Sequence, residues 1–143
     1  MTEGARLRRA TTTAIVLGVT ALTTLVLDVS WLGVLARGLY ASALAPLGRS
    51  AVFLPAAGLF YAFYVVVIVG YAVEAAGSVA AAARRGAMLG LVVYASYELT
   101  NWAVLRDWPA VLVPIDIGWG VVLTATAAAM GKLVEKRLSR SPA

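Results

Sequence analysis

The sequence predicts an all-α integral membrane protein, a four-helix transmembrane bundle with both termini in the cytoplasm. Three observations predict it. Hydrophobic residues make up 62% of the chain and charged residues 13%, with a mean hydropathy of +0.87; soluble domains run to roughly half apolar and a quarter charged. The apolar residues gather into four runs of about 20 residues, the length that crosses a hydrocarbon core. The basic residues stand mostly at the ends of those runs. The 143 residues leave room for a single domain.

Span one covers residues 12–36. Arg6, Arg8 and Arg9 ahead of an apolar run, with Ala41-Ser42-Ala43 beyond it, also fit a cleaved signal peptide. The apolar core of a signal peptide is only about 7–15 residues, whereas this run is longer and carries Asp28, so it reads as an uncleaved span. Residues 37–50 mix Gly38, Pro46, Gly48 and Arg49 with Leu39, Tyr40, Leu44 and Leu47. The stretch is too apolar for a solvated loop and too short to span. It is expected to lie in the headgroup region, with Tyr40 in the aromatic belt.

Span two covers residues 51–73, with Pro55 in its first turns, where a missing backbone donor costs little. Its Val65-Val66-Val67-Ile68-Val69 run would favour a strand in water, but in lipid the backbone must satisfy its own hydrogen bonds, so a helix is expected. Glu74 ends it, and Gly77-Ser78 breaks the chain before an alanine run and Arg84-Arg85. Span three covers residues 86–105. Arg106-Asp107-Trp108-Pro109 is a tight connection, with Pro109 suited to the first turn of the next helix. Span four covers residues 110–131 and leads into a basic tail. With four spans, nine of the twelve Lys and Arg residues fall on one side, and the positive-inside rule puts both termini there.

The chain has no cysteine and no histidine. Disulfides, thiol nucleophiles, His- or Cys-based metal sites and imidazole acid–base chemistry are therefore excluded. No nucleophile motif, phosphate loop or dinucleotide fingerprint is present, so no catalytic residue and no cofactor are expected. The net charge of +5 sits at span ends and not in a groove-binding patch. The expected partner is the lipid bilayer with its anionic headgroups, and not nucleic acid.

One stretch occurs twice. Leu27-Asp28-Val29-Ser30-Trp31-Leu32-Gly33-Val34-Leu35 and Ile115-Asp116-Ile117-Gly118-Trp119-Gly120-Val121-Val122-Leu123 share Asp, Trp, Val and Leu at the same offsets. Asp28, Glu98 and Asp116 each lie six to eight residues from the outer end of their span, about 9–12 Å below that boundary at 1.5 Å per residue. Residues three and four apart share a helix face. Thr20, Thr24, Asp28 and Trp31 form one stripe, and Gly86, Gly90, Tyr94, Glu98 and Asn101 a second with Tyr97 beside it. Asp116, Trp119, Gly120 and Thr124 form a third, and Tyr61, Tyr64 and Tyr71 lie on a fourth. The expected site is a cluster of Asp28, Glu98, Asn101 and Asp116 walled by Trp31, Tyr61, Tyr64, Tyr94, Tyr97 and Trp119.

Each aspartate at the membrane centre costs roughly 2.5–3.5 kcal/mol on insertion scales. Arg37 lies nine residues from Asp28, on the opposite helix face, so the two do not pair within span one. Protonation, a bound cation, or Arg37, Arg49 or Arg106 leaning in from the rim would each relieve the cost. Two readings of the cluster stand side by side. In one it binds or moves a small ligand, a proton or a cation, a metal among them. In the other it is an interhelical lock, with each aspartate accepting from a Trp indole or Tyr hydroxyl, in a protein that pairs with itself or with another membrane protein.

The stretches Asp28-Val29-Ser30-Trp31-Leu32-Gly33, Tyr94-Ala95-Ser96-Tyr97-Glu98-Leu99-Thr100-Asn101, Trp108-Pro109 and Asp116-Ile117-Gly118-Trp119-Gly120 resemble the signature of a bacterial membrane family catalogued as domain of unknown function 2177. The resemblance covers nearly the whole chain. It implies a small four-span protein of the bacterial inner membrane and carries no activity with it. The family pattern has Asp where Glu98 stands, so here the carboxyl group is set back by one methylene. The resemblance also implies a setting among lipid-modifying and light-stress proteins, hence an alternative role as a structural or accessory subunit of a lipid-processing or stress-response complex.

Overall fold

The computed structural model describes residues 2–45, 47 and 51–140, and the regular structure among them is helical throughout. Helix α1 runs Glu3–Ser30 and continues through a π-helical turn, Trp31–Leu35, into the short α2, Arg37–Ala43. Helix α3, Leu54–Val67, continues as a second π-helical stretch, Ile68–Glu74. Helices α4, Val79–Val104, and α5, Leu112–Arg140, complete the chain.

Local chemistry accounts for several of these ends. Ser78 is extended (φ −147°, ψ 163°), and its hydroxyl accepts from the Ala81 amide at 3.1 Å, an N-cap that starts α4 at the alanine run. Pro55 lies in the first turn of α3. Pro109 falls in the turn before α5, where its carbonyl accepts from the Leu112 amide at 2.9 Å. It is Pro114 that occupies the first turn of α5. That helix runs on unbroken past Asp116, because Pro114 there gives up only an amide that would have had no partner.

Among the described residues three stretches are long and apolar enough to cross a membrane: Glu3–Leu35, Leu54–Glu74 and Leu112–Arg140. The fourth long helix, α4, spans about 39 Å with its 26 residues. It carries Arg84, Arg85, Glu98 and Asn101 and is not among them. The lateral surface is apolar: Val34, Leu35, Leu54, Leu59, Phe63 and Val104 are each at least 70% exposed. A soluble protein would bury them; in a bilayer the solvent is hydrocarbon.

The interior divides into two ends. At one end Val16, Ile68, Val69, Ala72, Val73, Ala82, Ala127 and Ala128 pack into a core with Tyr64 at its margin. Small residues permit this. A Cβ on Gly86 would come within 2.5 Å of the Thr124 carbonyl oxygen, and one on Gly90 would collide with the Gly120 carbonyl. The α4 and α5 backbones therefore touch, as small residues at four-residue spacing allow, and theirs is the most extensive helix pairing in the molecule. At the other end half of the inward residues are Tyr, Trp or Phe, and these rings hold the helices apart around a cavity.

Candidate functional site

The cavity encloses about 570 Å³. Asp28 of α1, Glu98 of α4 and Asp116 of α5 line it, together with Tyr61, Tyr94, Tyr97 and Trp119. Tyr40, Leu44, Phe60, Trp108, Leu32, Val93 and Leu112 complete the wall.

Each carboxylate is held by aromatic donors. The Tyr61 hydroxyl donates to Asp28 Oδ2 at 2.8 Å, and Trp119 Nε1 donates to Asp28 Oδ1 at 3.0 Å. Tyr40 donates its hydroxyl proton to Asp116 Oδ1 and accepts from Trp31 Nε1 at 3.3 Å. Burial first, then the Asp116 carboxylate, raises the Tyr40 phenol above its ordinary pKa, which keeps it a neutral donor. Trp108 Nε1 donates to Glu98 Oε2 at 2.9 Å. The Trp31 and Trp119 rings stack, with centroids 4.5 Å apart and planes 8° from parallel. Among the described residues the one ion pair is Lys132–Glu135, at the far end of α5; Arg49 lies outside the described residues.

The structure thus brings Asp28, Glu98 and Asp116 to one cavity, with Tyr61, Tyr94, Tyr97 and Trp119 in its wall and Trp31 stacked behind Trp119. Asn101 and Tyr64 are not in the lining. Asn101 lies one turn nearer the end of α4. The Tyr64 hydroxyl meets Thr124 Oγ1 at 2.6 Å on the side of the packed core. Because Thr124 spends its own proton on the Gly120 carbonyl at 2.7 Å, Tyr64 is the donor.

Sequence reasoning missed Tyr40 and Trp108 as site residues. Tyr40 was expected in the headgroup belt and given no part in the site; the π-helical turn delivers the chain into α2, and α2 brings Tyr40 into the cavity wall. The amide of Ala36 reaches back five residues to the Trp31 carbonyl at 2.7 Å, which makes this turn. A lone tyrosine in an apolar, Gly- and Pro-bearing connection was the available signal for Tyr40. The Trp108-Pro109 pair was the signal for Trp108.

A family model described as "Predicted membrane protein (DUF2177)" matches residues 13–133. The chain belongs to this family. The match takes in α1 from Thr13 onward and all of α2, α3 and α4. It also takes in α5 past Lys132, and so every wall residue of the cavity. No curated protein and no solved structure matches the chain. As a family member the protein is an all-helical membrane protein, and the cavity is where Asp28, Glu98 and Asp116 meet.

Proposed function

We propose that the chain is a four-span protein of the bacterial inner membrane, with both termini cytoplasmic, whose outer-half cavity binds a small ligand, a proton or a cation. One observation carries the reading: a cavity of about 570 Å³ walled by three carboxylates, with no Lys or Arg in its lining among the described residues. Ionisable groups inside a membrane are costly and mark binding sites or ion paths. Glu98 and Asp116, two carboxyl groups lining one cavity from α4 and α5, would form the proton site. The fourth span is supported by the close pairing of α4 with α5, which places Arg84 and Arg85 at the same end of the bundle as Lys132 and Lys136.

Trp31, Trp108 and Trp119 make intrinsic fluorescence a reporter of the cavity. Wild-type protein in nanodiscs should change its emission with pH and with added cations. Asp28→Asn and Asp116→Asn should abolish that response while keeping the wild-type helical content and membrane insertion. If both variants fold and respond as wild type does, the binding reading fails.

A second reading is favoured by a different observation: every cavity carboxylate already accepts an aromatic hydrogen bond. In a structural or accessory subunit of a lipid-processing or stress-response complex, that network would be a lock. The same variants would then lose resistance to unfolding, or lose a co-purifying partner or second copy, with no separate binding defect.

A further inference from the structure

We propose that the occupant of the cavity is a hydrophobic organic cation, an amine or quaternary ammonium on an apolar body. The inference rests on the reading of the cavity as a binding site and names its ligand class.

Size comes first. About 570 Å³ lies within the roughly 300–1,000 Å³ of small-molecule sites and far exceeds what a bare ion needs. Charge comes next. Asp28, Glu98 and Asp116 line the space with no basic side chain in the lining among the described residues. With any one of the three ionised the wall carries a net negative charge, which acts strongly where water is scarce. A neutral hydrocarbon tail would leave those charges facing an apolar neighbour, at a cost.

The arrangement of the acids selects among cations. Among the described residues no group of three or more acids converges as a metal-ligand set, whereas a hard divalent ion needs about six oxygens at one point. Carboxylates on three helices that do not converge on one point suit a charge spread over an organic group. Each also has capacity left: an ionised carboxylate offers about four lone-pair sites, and Asp28 fills two of them with protein donors.

The rest of the wall matches the rest of such a ligand. Tyr94, Tyr97 and Trp119 present aromatic surface beside the acids, and aromatic faces attract ammonium groups, most of all in dry surroundings. Leu32, Val93 and Leu112 offer a purely apolar patch for the ligand's body.

The test is a fluorescence titration of the full-length protein in nanodiscs. Benzyltrimethylammonium and longer alkyl ammonium ions are each compared with the neutral carbon isostere, neopentylbenzene for the first. The expected result is saturable binding of the cations at least about tenfold tighter than their isosteres, weakened about tenfold or more by Asp116→Asn. Tyr97→Leu removes one aromatic wall without touching an acid and should weaken the cations several-fold, so the proposal stays testable if Asp116→Asn does not fold. Equal, saturable binding of cation and isostere would overturn the ligand class and leave the binding site standing. No binding of any probe, by a protein that still responds to pH, would overturn the class and leave the proton site. No binding and no pH response would overturn both.

Discussion

Asp28 takes an indole donor from Trp119, and Trp31 reaches Asp116 through the Tyr40 hydroxyl. Each tryptophan of the repeated stretch therefore serves the aspartate of the other copy, and the two rings stack at the crossing. Hydrogen bonds to a charged group contribute about 1.5–3 kcal/mol each, so the exchange ties α1, α2 and α5 together while making the carboxylates tolerable. Deeper in the bundle Thr20 shows the opposite case. Its side-chain oxygen is fully buried and is the one such atom without a partner among the described residues; it faces Gly131. Thr20→Val keeps the shape and removes an unsatisfied hydroxyl, whose burial costs about 1–3 kcal/mol. The variant should resist denaturation by detergent better than wild type does. A loss of resistance would mean that the hydroxyl has a water partner.

At the scale of elements, the contact between α4 and α5 is set by glycine. Gly90→Ala would drive a methyl into the Gly120 carbonyl and within 2.8 Å of Thr124 Oγ1. Overpacking of this kind costs about 1–3 kcal/mol, and a collision with backbone belongs at the upper end. Gly118→Ala on α5 meets nothing within 4 Å, so it should be neutral or gain up to about 1 kcal/mol from helix propensity. Unfolding curves of the two variants side by side check the pair; equal curves would deny the close contact. Neither π-helical segment is signalled by the apolar pattern, because a π-turn inserts one residue without changing how hydrophobic the run is. The second is braced from outside. Arg85 Nε donates to the Tyr71 carbonyl at 2.7 Å, and its guanidinium lies 4.4 Å from the Tyr71 ring centre.

For the whole molecule the question is how the four long helices sit in the bilayer. The chain has no cysteine, so single cysteines report sidedness without background. Under the four-span topology, Asp107→Cys in intact cells should react with a membrane-impermeant maleimide. Ala5→Cys, Gly77→Cys and Ser139→Cys should react only after the membrane is opened. Labelling of Gly77→Cys and Asp107→Cys from the same side would show that α4 does not cross. The division of the interior into a small-residue end and an aromatic end is itself a whole-molecule property. Alanines and glycines let the helices close on one another, and the rings at the other end hold open the volume that becomes the cavity.

The helical membrane class was legible in the chain because apolar runs and their basic flanks are local, and lipid leaves the backbone of such a run no alternative to a helix. The three carboxylates were legible for a related reason: four-residue spacing assigns each to a helix face before any neighbour is known. The identity of the donors was not. Tyr40 reaches Asp116 across 76 positions, along a path set by a π-turn that no residue pattern announces. Tyr61 and Tyr64 share a stripe, yet only Tyr61 lines the cavity, because the packed core closes between them. Spacing along one helix tells which residues look inward; how far the facing helices stand apart depends on side chains from all of them at once, and that separation makes an inward residue a wall of the cavity or part of the core.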